Sequence, residues 1–166
     1  MIRISTLALV LSCAMVNAGP QLRVTPVMHQ TAAYYSSSCV TVAGMGFGGG
    51  VQMVYGKNLV AQTDANILWA NGNAFSTRFA LGVHREGCWQ PAVFGTFDLL
   101  WGQRTEVLTA AGRRPATPVW AIGMRATPLR FNGSYGYASA LELGYGIAPD
   151  QGMMLEVTIL SGGIRW

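Results

Sequence analysis

From Phe75 to Ile147 the chain alternates with a period of two, sorting residues by size as well as polarity. In 75–85 the odd positions Phe75, Thr77, Phe79, Leu81 and Val83 alternate with Ser76, Arg78, Ala80, Gly82 and His84. In 89–101 the odd set runs Trp89, Pro91, Val93, Gly95, Phe97, Leu99, Trp101, and the even set begins Gln90, Ala92, Phe94, Thr96, Asp98. In 135–147 Tyr135, Tyr137, Ser139, Leu141, Leu143, Tyr145 and Ile147 alternate with glycines, alanines and Glu142. Period two predicts strands with two unlike faces. A soluble sandwich would bury the bulky face and charge the other richly. Here the second face is small, with isolated charges. That suits a narrow barrel with its bulky face against lipid and aromatic rings at both interfaces.

Turn residues set the expected strand count. Strands are expected over 39–48, 51–60, 64–70, 74–85, 88–101, 118–130, 134–147 and 153–166. Gly48-Gly49-Gly50, Asn71-Gly72-Asn73, Arg85-Glu86-Gly87 and Asn132-Gly133-Ser134 supply tight turns. The fold class is therefore all-β, an antiparallel up-and-down transmembrane barrel of eight strands, with ten as the alternative because 51–70 is weakly patterned. In this register 103–117 and 148–152 are expected outside, and the short turns 85–87 and 131–133 on the periplasmic side. Residues 19–38 are left as a periplasmic or lumen-facing lead, and 39–166 form the barrel domain.

Register parity can be checked within the sequence, because paired strands must put inward residues opposite inward residues. Pairing His84 with Cys88 keeps even positions opposite even ones. Around the Asn132 turn odd should face even, and Trp120, Ile122 and Met124 do take even positions. Arg125 is then expected opposite Ala140 and diagonal to Glu142, with Glu156 close to both. Arg78 and Asp98 fall within a long side chain's reach. Since buried charges must be paired, Arg78, Asp98, Arg125, Glu142 and Glu156 are expected to form a structural ion-pair network. Eight strands leave too narrow a lumen for an open pore. Met153, Leu155, Val157 and Ile159 take odd positions, whereas Leu160, Ile164 and Trp166 are even, so a bulge is expected near Ser161-Gly162-Gly163.

Composition narrows the class. Hydrophobic residues make up 51% of the 166 and charged ones only 11%, against about 25% charged in ordinary soluble domains. Disorder and coiled coils are excluded by this balance. A net charge of +4, thinly scattered, argues against nucleic acid as a partner. Residues 1–18 read as a secretory signal: Arg3, an apolar run Leu7–Leu11, and Val16-Asn17-Ala18 for cleavage near Ala18. After them no apolar run of about 18 residues occurs.

The chain ends on Ile164-Arg165-Trp166, with Leu160 and Gly162 at preceding alternate positions. This resembles the C-terminal assembly signal of bacterial outer-membrane barrels, carried here by Leu160, Ile164 and Trp166. With the export signal and the alternating segments, the chain resembles the small eight-stranded barrels such as the OmpA transmembrane domain and OmpX. The resemblance implies the outer membrane of a Gram-negative bacterium. It also implies anchoring, adhesion or resistance roles, and occasionally lipid chemistry.

Motifs for chemistry are sparse. Gly44-x-Gly46-x-x-Gly49 matches a dinucleotide fingerprint, but no βαβ unit follows. Ser76, His84 and Asp98 share the inward face, yet Ser76 and His84 are eight residues apart on one strand, roughly 27 Å at ~3.3 Å per residue. A triad needs contact. The His-x-Ser pair of lipid A deacylases is missing at both His29 and His84. Neither metal nor cofactor is expected. Cys39 and Cys88, both placed at the periplasmic end, could form a disulfide in an oxidising compartment or stay reduced. Arg104, Arg113 and Arg114 cluster in the largest loop, where two readings stay open: bidentate pairing with the phosphates of lipopolysaccharide, or a solvated loop. The reading is a non-enzymatic outer-membrane barrel, structural or a subunit of an envelope assembly, with lipid, lipopolysaccharide and envelope proteins as partners. The alternatives are a lipid A-modifying enzyme and a soluble periplasmic lipocalin-like carrier.

Overall fold

A computed structural model of the chain describes residues 22–36, 41–69, 73–102, 106–109, 112–115, 119–148 and 152–164. The barrel begins with β1 (Leu22–Ser36), β2 (Thr41–Tyr55), β3 (Leu59–Trp69), β4 (Asn73–His84) and β5 (Ala92–Gly102). A small hairpin follows, β6 (Glu106–Thr109) and β7 (Gly112–Pro115), which forms its own two-stranded sheet. The barrel resumes with β8 (Val119–Thr127), β9 (Leu129–Gly133), β10 (Gly136–Ile147) and β11 (Met153–Ile164). Neighbouring strands pair antiparallel, and β11 pairs with both β10 and β1, closing the sheet. β8 and β9 both pair with β10 and are two halves of one stave, broken at Pro128. The result is an eight-stave closed barrel without sheet edges, as the alternation predicts.

The count of eight is reached by a different path. Residues 22–36, expected as a lead, form β1, paired along most of its length with β2 and β11. Gly48-Gly49-Gly50, expected as a turn, lies inside β2, so 39–60 contributes one full strand and the first residues of β3 rather than two strands. The reason is steric. A Cβ at Gly48 would sit 1.9 Å from Asn66 Oδ1 and 2.6 Å from His29 Nε2; one at Gly50 would meet Asp64 Oδ1 at 2.6 Å. These glycines leave lumen space for neighbouring side chains.

Two registers shift by whole steps while keeping the expected parity. His84 pairs with Ala92, not Cys88, because the 85–91 connection folds over the β9 stave. There Trp89 bridges Phe131, and the amides of Asn132 and Gln90 donate to the carbonyls of Cys88 and Arg130, each at 2.7 Å. Arg125 pairs with Gly144 rather than Ala140, since the hairpin turns at Ser134–Tyr135, after Gly133. The expected bulge near 161–163 lies slightly earlier. Ile159 and Leu160 are both exposed, and the β1–β11 register shifts between Gln30 and Thr31. Alongside, Leu141 adopts φ 59° and the β8–β9 stave breaks at Pro128. The inward face changes parity on all three staves: Thr127 to Arg130, Ser139 to Glu142, Thr158 to Ser161.

The two ends differ. The strand ends joined through 37–40, 70–72, 103–118 and 149–151 lie together at what we call the loop end. The short connections 56–58, 85–91 and 134–135, with Leu22 and Ile164, lie at the terminal end.

Candidate functional site

The lumen is layered. At the loop end Tyr35, Leu68, Leu100 and Met154 pack with Ala33, Ala74, Ala121 and Ala148; toward the terminal end Val54, Val60, Ala80, Ala92 and Phe94 cluster. Between these apolar layers lies a polar belt whose charges follow from strand register.

Gly50, Asp64, Arg78, Asp98 and Ala121 pair in succession across β2, β3, β4, β5 and β8. Phe94, Arg125, Gly144, Glu156 and Ala33 do so across β5, β8, β10, β11 and β1. Each row holds an arginine, and each arginine reaches into the other row. Arg78 Nε binds Asp98 Oδ1 at 2.7 Å, while its Nη2 pairs with Glu156 on the opposite wall. Arg125 Nη1 lies 3.3 Å from Glu142 Oε2 and 3.6 Å from Asp64 Oδ2 across the lumen. Its guanidinium also sits 4.7 Å from the Phe94 ring centre. All six charged residues are at most 5% exposed. A void of about 10 Å³ lined by Arg78, Thr96, Asp98, Arg125 and Glu156 has room for about one water.

Neutral polar side chains extend the belt. Gln62 Nε2 donates to both Asp64 oxygens at 2.9 Å, and Gln52 Nε2 donates to Gln62 at 3.1 Å. Arg130 Nη2 donates to Gln52 Oε1 at 2.7 Å across the lumen and stacks 4.1 Å from the Tyr137 ring centre. His29 Nε2 pairs with Asn66, bridging over Gly48, and Asn66 Nδ2 donates to Ser76 Oγ at 3.0 Å. Thr31 donates to Glu156 at 2.8 Å, and Ser161 to Glu142.

The sequence-derived network of Arg78, Asp98, Arg125, Glu142 and Glu156 thus comes together with one exchange of partners. Glu156 serves Arg78, and Asp64 takes its place on Arg125. Asp64 was missed because 51–70 carries little size contrast, although a lone carboxylate facing Arg78 in register would have pointed to it. Arg130 and Tyr137 were missed because the parity change at Pro128 and Leu141 turns them inward. Ser76, His84 and Asp98 do face the lumen, but they hold different partners: Asn66, the Arg85 carbonyl at 3.0 Å, and Arg78.

The remaining sites divide by position. Leu160 and Ile164 face outward, 59% and 63% exposed; Trp166 lies outside the described residues. Arg113 and Arg114 occupy β7 opposite Leu108 and Val107, and Arg104 lies outside the described residues. Cys88 is a free, exposed thiol at the terminal end. Cys39 lies outside the described residues; its flanking strand ends Ser36 and Thr41 pair at the loop end, the end of the barrel opposite Cys88. The Cys39–Cys88 bond, one of the two states expected of the pair, therefore falls outside the described residues.

No family profile matches the chain, and no curated protein matches it. Solved structures do. The crystal structure of Neisserial surface protein A (NspA) aligns over 87% of this chain and 97% of its own, with TM-score 0.55 and 11% identity. That of Ail, the attachment invasion locus protein of Yersinia pestis, aligns over 88% and 99%, with TM-score 0.51 and 7% identity. The fold is that of the small eight-stranded outer-membrane barrels.

Proposed function

We propose that the protein is a non-enzymatic barrel of the Gram-negative outer membrane, exported with removal of 1–18, and structural or a subunit of a larger envelope assembly. The observation that carries this reading is an inverted distribution of polarity. Among the described buried residues more are polar or charged than apolar, while Phe79, Leu81, Ile122, Met124, Leu143 and Ile147 stand exposed on the outer wall. In water that wall would be a very large apolar patch; in lipid it is a matched surface. Aromatic side chains gather at both rims: Tyr34, Trp69, Phe75, Trp101 and Trp120 toward the loop end, Tyr55, Trp89, Phe131 and Tyr135 toward the terminal end. Eleven-residue strands such as β3, at ~3.3 Å per residue and a tilt of ~40°, reach roughly 28 Å, enough for an apolar band of about 25 Å.

The lumen network is an internal brace: its two arginines each bridge two carboxylates between two apolar layers. The terminal end faces the periplasm, where such barrels keep their short turns. Arg104, Arg113 and Arg114 then contact lipopolysaccharide phosphates at the outer face, and Leu160, Ile164 and Trp166 act as the assembly signal. Fractionation followed by SDS gel mobility of unboiled and boiled protein tests the reading. Outer-membrane recovery with a shift on boiling is expected. Soluble periplasmic recovery without a shift would restore the lipocalin-like carrier, and altered lipid A masses on overexpression would restore the enzyme.

A further inference from the structure

The outer wall is not uniform. The staves β4, β5, β8 and β10 present mostly large apolar side chains outward. On β1 the outward positions run Pro26, Met28, Gln30, Ala32 and Tyr34, beside Ala43 and Gly49 on β2 and Gly162 on β11. Two grooves flank the middle of β1. One is lined by Ala32, Ala43 and Val157, the other by Pro26, Met28, Phe47, Ala138, Leu160 and Ile164. Gln30 lines the second groove near mid-strand, paired with Phe47 on one side and Leu160 on the other, both exposed.

Its depth can be read from the pairing. The row through Gln30 climbs by Phe47, Ile67 and Phe75 to Trp101 at the loop-end rim, and descends by Leu160 and Ala140 to Leu129. Gln30 therefore sits between the two aromatic rims, and its side chain makes no hydrogen bond to any described residue. Resting on the membrane reading above, this places an unmatched amide in hydrocarbon, where polar groups without partners are costly and mark contacts. Acyl chains carry neither donor nor acceptor. An amide carries both and is complementary to itself. Copies inserted in one direction hold Gln30 at one depth, so a two-fold axis along the membrane normal brings amide to amide. The small residues let the walls approach.

We infer that two copies of this chain pair in the membrane through the β1 wall, with reciprocal Gln30–Gln30 hydrogen bonds at its centre. The test uses the purified protein in phosphatidylcholine vesicles, with Cys39 and Cys88 replaced by serine. Ala32→Cys, beside Gln30, is expected to give cross-linked dimers with a short bis-maleimide, and Leu81→Cys on the opposite wall is not. Adding Gln30→Leu should weaken dimerisation, read by single-molecule photobleaching, roughly tenfold for two membrane-buried hydrogen bonds. That variant should keep its mobility shift on boiling, because leucine suits lipid. Equal cross-linking at both positions, or an unchanged dimer constant with Gln30→Leu, would overturn the pairing. Insertion as monomers at every protein-to-lipid ratio overturns the pairing alone; failure to insert overturns the membrane reading with it.

Discussion

The lumen and the outer wall are built from the same strands, one residue apart, yet obey opposite rules. Inside, space is short and carboxylates are held by arginine: Arg78 and Arg125 each satisfy two carboxylates, and glycines on β2 give up volume for it. Outside, charge is absent between the rims among the described residues, and size and aromatic placement do the positioning. The difference teaches that alternating polarity alone does not say which face is the core. Pairing of the polar face does. A polar face turned to water can leave its charges separate, whereas this one knits six charged residues across the barrel.

Breaking the lumen side should cost most. Arg125→Met strands Asp64 and Glu142, and a loss of ~3–5 kcal/mol is expected in urea unfolding from vesicles, as for other broken buried pairs. Replacing both carboxylates by leucine in the same variant should recover much of it. If Arg125→Met alone is neutral, the brace is not one. Breaking the wall side comes next: Phe79→Arg, outward near the middle of β4, should cost ~2–4 kcal/mol by the same assay, the range for a cation at the bilayer midplane. A neutral result would mean that position 79 faces water.

Adjacent glycines give a finer contrast. Gly48→Ala points its methyl into Asn66 and His29 and is expected to destabilise by ~1–3 kcal/mol, as overpacking does. Gly49→Ala points outward, where the nearest atom is the Val27 carbonyl at 3.2 Å, and should stay within ~0.5 kcal/mol. A larger effect at Gly49 than at Gly48 would mean that β2 is misaligned by one residue. The smallest effect is expected at the rim. Lys57 and Glu86 lie 3.9 Å apart with side chains 78% and 64% exposed, so Lys57→Met should change stability by at most ~0.5 kcal/mol. An ion pair contributes here according to which side of the wall it occupies.

Much of this is legible in the sequence where the two faces differ in size. Between Phe75 and Trp101 large and small residues alternate plainly, and the inward set of Arg78 and Asp98 follows directly. In β2 the inward positions are Gly44, Gly46, Gly48 and Gly50, flanked by Gly49, so size contrast vanishes at the GGG run and a glycine run reads as a turn. Splitting that strand while leaving out β1 preserved the count of eight by compensation. Parity survived at both misjudged hairpins because the turns shifted by even steps. Register did not, since turn chemistry does not reveal that Trp89 would fold over Phe131. The parity change at Ile159 shows in the pattern of the last strand alone, whereas those at Pro128 and Leu141 follow only once the three neighbouring staves are paired.

The central claim is that the bulky wall faces acyl chains with aromatic rings at both interfaces. Tryptophan fluorescence in vesicles of brominated phosphatidylcholine tests it most directly, because Trp69, Trp89, Trp101 and Trp120 all lie near the rims. Bromine close to the headgroup should quench strongly and bromine near the chain ends weakly. Emission unaffected by bromine at any depth would contradict a lipid-facing wall.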